Sequence, residues 1–415
     1  MSSTIPTAAP SAPARRPPLP SLTGLRFLAA LLVFFFHTSL ANSPIPPNAP
    51  INPFANRSLA AWDELVFSKA GYVGVSFFFV LSGFVLTWAS KPNEPATAFL
   101  RRRLVKIFPN HLAVWAVAMV LFAGAVTEPS AWLPNLFLIH TFFPQPAINL
   151  SVSPPTWSLC SELLFYLSFP LLIRLFHRTA GKRLWAWSAV MVAGMVGIQL
   201  LAQFCIPATP KSAITPISDL QFWFGYLFPP SRIFEFALGI LLARIVMTGQ
   251  WPRTLGIIPS TILMVLGYAL ALVLPFQYGF NVATIIPVSA LIGAVAQADA
   301  EGRRTRLRSR VMVWLGEVSF GFYLCQGIMI FYLRKLMGDA QFGIPAGIAV
   351  VIGFFCTALL GGWLLHTFVE QPAMRRWSRS RKSRPQVPPA PQTPTHPAAY
   401  TPVESGPSTF APDRR

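Results

Sequence analysis

Residues 25–40 read LRFLAALLVFFFHTSL, an apolar run that opens on Arg26 and carries His37 near its far end. At about 100° per residue, the eleven-residue step between these two amounts to three helical turns plus about 20°. Both side chains therefore project from one face of a helix, about 16 Å apart along its axis. A strong base and an imidazole share one stripe of a membrane helix. Ionisable groups are expensive there, and by default they mark a functional site facing a bundle interior or a wet cavity.

The rest of the chain places that run among others like it. Of its 415 residues, 53% are hydrophobic and only 11% charged. Several stretches approach the roughly 20 apolar residues needed to cross a hydrocarbon core of about 30 Å. Spans are expected at 22–41, 71–90, 104–126, 158–176 and 185–206 in the first half of the chain. Further spans are expected at 222–246, 254–274, 280–298, 311–333 and 345–368. The fold class is thus all-α, a polytopic membrane bundle of about ten helices around a central cavity. The segment 131–143 is apolar but too short to span, and reads as an interfacial or re-entrant piece.

Charge orients the bundle, because short cytoplasmic loops are enriched in Lys and Arg. Most of the 33 basic residues fall in alternate inter-span segments, whereas Arg57, Lys69, Lys211, Arg334 and Lys335 fall in the opposite set. Both termini are then cytoplasmic, and the protein is expected in the cell membrane. The net charge of +19 reads as topology signal and as attraction to anionic membrane lipid. Basic residues dispersed among loops speak against nucleic-acid binding.

Residues 1–20 are rich in Pro, Ala and Ser, and residues 378–415 combine a basic stretch with repeated prolines. Neither can bury enough apolar surface to fold alone, so both are expected as disordered tails around a membrane domain at 21–377. The first apolar run is too long for a typical signal-peptide core and is expected to be retained. Cys160, Cys205, Cys325 and Cys356 stand singly in apolar surroundings, as packing residues, with neither metal-type pairs nor a disulfide framework.

Five further stretches join Arg26 and His37. The first is Gly74-Val75-Ser76-Phe77-Phe78-Phe79-Val80-Leu81-Ser82-Gly83-Phe84, and the second Arg103-Leu104-Val105-Lys106-Ile107-Phe108-Pro109. The third is Thr156-Trp157-Ser158-Leu159-Cys160-Ser161-Glu162, followed by Phe165-Tyr166 and Pro170. The last two are Trp314-Leu315-Gly316 through Ser319 to Tyr323-Leu324, and Val369-Glu370-Gln371-Pro372. In this order the set resembles the acyltransferase 3 family over roughly residues 20–375. These are integral membrane enzymes that move acyl groups onto hydroxyls, commonly of carbohydrates or of secondary metabolites such as macrolides. The chain departs from the family at Ser76, often acidic there, at Lys106, often arginine, at Phe320, often an aromatic hydroxyl, and at Gln326, often histidine. Lysine at 106 keeps the charge but loses the planar fork for bidentate phosphate contact.

The resemblance implies a catalytic role for His37 and acyl-coenzyme A as co-substrate, with no permanently bound cofactor and no metal. The chemistry fits, since transfer from a thioester to an alcohol needs a base for the hydroxyl proton and imidazole titrates closest to working pH. Arg103 and Lys106 read as docking points for the coenzyme's phosphates, beside Arg101 and Arg102, which serve equally as membrane anchors. Arg26 either meets the same coenzyme or pairs with a buried carboxylate. Glu162, expected at about the depth of His37, either orients the imidazole or is a structural carboxylate bonded to Trp157 or a neighbouring helix. Trp157 itself reads as an interfacial anchor.

Arg232 and Glu235, three apart on one face, are expected as an architectural pair lining the cavity, with direct substrate contact as the rival reading. Ser158 belongs to the third motif as a substrate-side residue. Ser82, Ser319, Tyr323 and Gln326 offer hydrogen bonds between helices or to an acceptor. Glu370 with Pro372 reads as a structural stop, or as carboxylate partner to a motif arginine.

The expected reaction is acyl transfer to a hydroxyl of a glycan or small-molecule acceptor, carried by the bundle alone because 378–415 holds no second module. The Ala-, Pro- and Arg-rich tails suit a high-GC bacterial gene, which keeps macrolide-type products beside cell-envelope glycans as acceptors. A transporter or flippase of a lipid-linked sugar, or an inactive scaffold of the same fold, is the alternative. The sequence shows no matched pair of Gly/Pro-broken helices favouring transport, and it fixes no oligomeric state.

Overall fold

The computed structural model describes residues 16–43, 50–91 and 94–378. Ten long helices carry the fold: α1 (Pro20–Thr38), α2 (Ala70–Trp88), α3 (Ala96–Leu121), α4 (Trp157–His177) and α5 (Leu184–Cys205), then α6 (Ile233–Met247), α7 (Ile257–Val273), α8 (Ile285–Ala300), α9 (Arg310–Met337) and α10 (Ile344–Leu365). Seven helical stretches are long and apolar enough to cross a membrane: Pro20–Thr38, Arg57–Trp88, Ala96–Leu121, Pro154–His177, Gly181–Cys205, Arg310–Met337 and Ile344–Trp377. The other three helices, α6, α7 and α8, have 15, 17 and 16 residues. Each is shorter than a full crossing at 1.5 Å per residue.

The expected span at 222–246 is not one helix. The chain passes from a short helix, Asp219–Phe222, through a π-turn, Trp223–Leu227, and a 3-10 turn, Pro229–Arg232, before α6 begins. Pro229 and Pro230 explain the break, because each lacks the N–H that an α-helix interior needs. Segment 131–143 does not span. It forms a helix at Pro129–Leu136 and a 3-10 turn at His140–Phe142.

The outer residues of the expected tails, 1–15 and 379–415, lie outside the described residues. Arg16 and Pro17, within the expected N-terminal tail, are docked on the end of α2. Arg16 donates to the carbonyls of Thr87 at 3.2 Å and Trp88 at 2.7 Å, and the Trp88 indole donates to the Pro17 carbonyl at 3.0 Å.

Helix α1 packs between α2 and α9, with α8 alongside. Its start is held by another helix: the Asp299 carboxylate of α8 accepts from the backbone N–H of Ser21 at 2.8 Å and of Leu22 at 3.2 Å, and from the Ser21 hydroxyl at 2.6 Å. Those N–H groups have no partner within their own helix, and a carboxylate at a helix N-terminus also meets the positive end of its dipole. The anchor fixes the rotation of α1, and so the direction in which Arg26 and His37 point.

Helix α2 is almost wholly buried and crosses α6 at backbone contact. A β-carbon on Gly239 would strike the Val80 carbonyl, and one on Gly83 the Phe236 carbonyl. Lipid is as apolar as a leucine side chain, so close packing of small residues rather than hydrophobic burial holds membrane helices together. Helices α7 and α10 instead turn large apolar residues outward, among them Val265, Leu266, Ile352 and Leu360, as a lipid-facing surface requires.

Candidate active site

Helix α1 is continuous from Arg26 to His37, so the two lie on one face as the spacing demands. The His37 imidazole is 9% exposed and borders a cavity of about 250 Å³, with Tyr72, Trp157, Tyr226, Tyr323 and Glu64 among its other walls. Its ring meets Phe331 edge-on, with centroids 5.6 Å apart. Nδ1 is buried without a hydrogen-bond partner. Buried polar atoms are normally satisfied, so an unpartnered Nδ1 on a ring that lines a cavity is an exception.

Tyr323 and Pro155 in the wall of this cavity belong to a small polar network. The Ser158 hydroxyl and the Tyr323 hydroxyl are 2.9 Å apart, and both also reach the Pro155 carbonyl, at 3.2 Å and 3.0 Å. Trp157 is not an interfacial anchor: it is 6% exposed, packed against Tyr226 at 4.6 Å and Phe79 at 6.0 Å between ring centroids. Its place at the start of α4, behind the turn Pro154–Thr156, carries it into the bundle.

The Arg232–Glu235 pair forms as expected, with Nε to Oε2 at 2.7 Å and a second contact of 2.9 Å to Oε1, both side chains fully buried. It supports the cavity from behind and is absent from its lining. The guanidinium lies 4.7 Å from the Tyr226 ring centre and 5.9 Å from that of Trp157, so it backs two walls of the cavity. Ser76, where the family often has an acid, accepts from the same guanidinium at 3.3 Å.

Glu162 does not meet His37. Five residues beyond Trp157, it is turned by about 140° and sits about 7.5 Å further along α4, outside the cavity. Its hydrogen-bond donor is Tyr166, at 3.4 Å, and it feels the charges of Arg26, Lys106 and Arg103. Glu162, expected beside the imidazole, thus lies instead with Arg26, Arg103 and Lys106 toward the opposite end of the α1 stripe.

Arg103 borders a second pocket of about 560 Å³ with Arg16, Lys91, Arg102 and Arg174, where Glu94 supplies the one carboxylate, paired to Arg102 at 2.6 Å. The Arg103 guanidinium lies over Phe99 at 5.5 Å and Tyr166 at 6.0 Å, and its Nε is buried without an acceptor. Lys106 is placed differently. It forms an ion pair with Glu370, whose carboxylate also lies 3.4 Å from His366 Nδ1 and 3.5 Å from the Asn110 amide. Three residues past Arg103, Lys106 points away from that pocket toward the end of α10. Arg26 is half-buried and makes no hydrogen bond or ion pair among the described residues.

Tyr72, Tyr226 and Glu64 line the cavity without belonging to any of the sequence motifs. Tyr72 precedes the first glycine motif by two residues and Tyr226 lies just before the Pro229-Pro230 break, so both stood beside visible punctuation. Gln326, where the family often has histidine, is fully buried with both amide atoms unpartnered.

The acyltransferase domain family matches residues 19–367. The chain is 38% identical to the acyltransferase MdmB of Streptomyces mycarofaciens over 380 residues, covering 88% of this chain and 93% of that protein. It is 26% identical to nodulation protein 10 of Rhizobium leguminosarum bv. viciae over 382 residues, 85% of this chain and 92% of the relative. To the peptidoglycan O-acetyltransferase OatA of Listeria monocytogenes it is 23% identical over 398 residues, 85% of this chain and 55% of the relative. No solved structure matches the chain. The motifs, the all-helical membrane bundle and these likenesses agree: the chain belongs to the acyltransferase 3 family and is an acyltransferase.

Proposed function

We propose that the protein moves an acyl group from acyl-coenzyme A to a hydroxyl of a carbohydrate or of a glycosylated secondary metabolite, with His37 as general base. The observation that carries this reading is the stripe on α1. At one end an unpartnered imidazole borders a cavity, and about 16 Å away Arg26 stands half-buried with no hydrogen bond or ion pair among the described residues, near the charge of Glu162. The coenzyme is a long chain with anionic phosphates at one end and the thioester at the other. It matches a site whose cations and base are separated along one line.

In this mechanism Arg26 and Arg103 hold phosphate oxygens through charge-assisted hydrogen bonds. Lys106, already paired with Glu370, contributes field rather than a direct contact. The acceptor enters the cavity beside His37, and the imidazole takes the hydroxyl proton as the oxygen attacks the thioester carbon. The tetrahedral intermediate expels the coenzyme thiolate, which takes the proton back from the imidazolium. Trp157, Tyr226 and Tyr323 set the walls against which the acceptor is oriented, with Ser158 hydrogen-bonded to Tyr323. The name of one relative, a peptidoglycan O-acetyltransferase, supports a carbohydrate hydroxyl as acceptor, and MdmB is named as an acyltransferase.

The test is purified protein with labelled acyl-coenzyme A. General-base catalysis contributes about 10²–10⁴-fold, so His37→Ala should lower acceptor-dependent thioester consumption by at least about 100-fold while leaving membrane yield intact. A His37→Ala protein with native turnover overturns the assignment.

A further inference from the structure

Helices α5, α6, α7 and α8 enclose a crevice of about 350 Å³ that shares no residue with the His37 cavity or with the pocket beside Arg103. Val192, Leu242, Leu255 and Leu263 are among its walls, and no charged side chain lines it. Its polar groups are two indoles and the hydroxyls of Ser188 and Ser289. The Trp251 indole already donates to the Leu255 carbonyl at 3.0 Å, and Ser188 to the Leu184 carbonyl at 2.9 Å. A void of this size suits a ligand, since small-molecule pockets run from about 300 Å³ upward. One with such walls stays dry, so what fills it is apolar.

Two features at one end of the crevice say what its other part must be. Trp185 and Trp251, with ring centroids 6.1 Å apart, stand there, and tryptophan is the side chain of the membrane–water boundary. Around them the charge is of one sign. Lys182 and Arg183 precede Trp185, and Arg253 lies between Trp251 and Leu255; all three are exposed, and none is in an ion pair among the described residues. No Asp or Glu occurs at 163–218 or 236–298, the stretches that supply every wall of the crevice. Elsewhere loop cations do find carboxylates: Arg102 meets Glu94 at 2.6 Å, and Arg303 meets Glu301 at 2.7 Å. The helices α6, α7 and α8 add a third argument. With 15, 17 and 16 residues they rise about 22–26 Å, less than the hydrocarbon core of about 30 Å. A bilayer thins beside so short a flank, which draws headgroups toward the basic rim. We propose that the crevice is a binding site for an anionic glycerophospholipid. One acyl chain lies among α5, α6, α7 and α8, and the phosphate meets Lys182, Arg183 and Arg253. The site is separate from acyl transfer and stands whether or not His37 is the base.

Photolabelling tests it. The full chain in nanodiscs of phosphatidylcholine receives a trace of phospholipid with a diazirine on one acyl chain, under either a phosphatidylglycerol or a phosphatidylcholine headgroup. After illumination, labelling at Trp251 and Leu255 is read relative to that at Ile352 and Leu360 on lipid-facing α10. The phosphatidylglycerol probe should label the crevice about tenfold more than its zwitterionic counterpart, as three basic residues beside an anionic headgroup allow. The combined variant Lys182→Gln, Arg183→Gln, Arg253→Gln should erase that preference, and Lys182→Arg, Arg183→Lys, Arg253→Lys should keep it. Ala189→Phe, a substitution at an exposed position of the lining, should fill the crevice and lower labelling of Trp251 and Leu255 by both probes. Equal labelling by the two probes in the native protein, a preference that survives neutralisation, or labelling that Ala189→Phe leaves unchanged overturns the proposal.

Discussion

Replacing Arg232 by methionine should be among the most damaging single changes available outside the His37 cavity lining. Both members of the Arg232–Glu235 pair are fully buried. Removing the guanidinium strands a carboxylate, strips the Ser76 hydroxyl of a donor and withdraws the cation backing Tyr226 and Trp157. Breaking one side of a buried ion pair costs about 3–5 kcal/mol, whereas exchanging both members for apolar groups of similar volume is often neutral or better. Arg232→Met alone is expected to lose about 3–5 kcal/mol, and Arg232→Met with Glu235→Leu to recover most of it. The assay is a double-mutant cycle on unfolding in mixed micelles, supported by the fraction of protein that elutes monodisperse after heating. Single variants that each cost under about 1 kcal/mol, or a double variant as unstable as the sum of the two, would refute the claim that each charge depends on the other.

Gly239→Leu should abolish folded yield on size exclusion, because the new side chain meets the Val80 carbonyl on α2. Gly353→Leu, with open space around it on exposed α10, should elute as the native protein does. Burial, with His111 adding to it, pushes His140 down to about 3 from 6.5. The unfolded chain then takes up a proton that the folded one refuses, so stability falls as the pH drops from about 6.5 toward 3, by at most about 5 kcal/mol. Unfolding measured across that window should lose part of its slope in His140→Gln. Coenzyme A at about 100 times its dissociation constant should stabilise the native protein by about 2.7 kcal/mol. Arg26→Met should lose most of the resulting thermal shift, and an equal shift in both proteins contradicts the donor role of Arg26.

Much of this architecture was legible because membrane helices are long apolar runs with a fixed period. Helices occupy the ten expected stretches except where Pro229 and Pro230 interrupt one of them, with seven helical stretches long and apolar enough to cross a membrane, and the Arg26–His37 face follows from helical arithmetic alone. The Arg232–Glu235 pair was legible for the same reason, its members being one turn apart. Contacts between distant helices were not. Lys106 and Glu370 are 264 residues apart, and hydropathy carries no information about which carboxylate faces which cation. The position of Glu162 is illegible for a subtler reason: its place near the start of α4 suggests the depth of His37, but a rotation of about 140° separates it from Trp157. The break at Pro229 was visible in the residues and was outweighed by the apolar run on either side.

The membrane-buried cations supply their own argument about what is missing from the bare chain. Arg232 is matched by Glu235, and Lys106 by Glu370. Arg334 is fully buried and is met by the carbonyls of Pro50 at 2.9 Å and Ala340 at 3.0 Å. Each obeys the rule that a desolvated charge must find a counter-charge or hydrogen bonds. Arg26 and Arg103 break it: Arg26 has no acceptor among the described residues, and Arg103 has rings beside it and a buried Nε with none. Nearby Glu162 is bonded to Tyr166 instead. An anionic donor, as proposed above, would supply the acceptor that both guanidiniums lack. Both cations lie toward the end of α1 opposite the open imidazole, the separation that the proposed coenzyme binding requires.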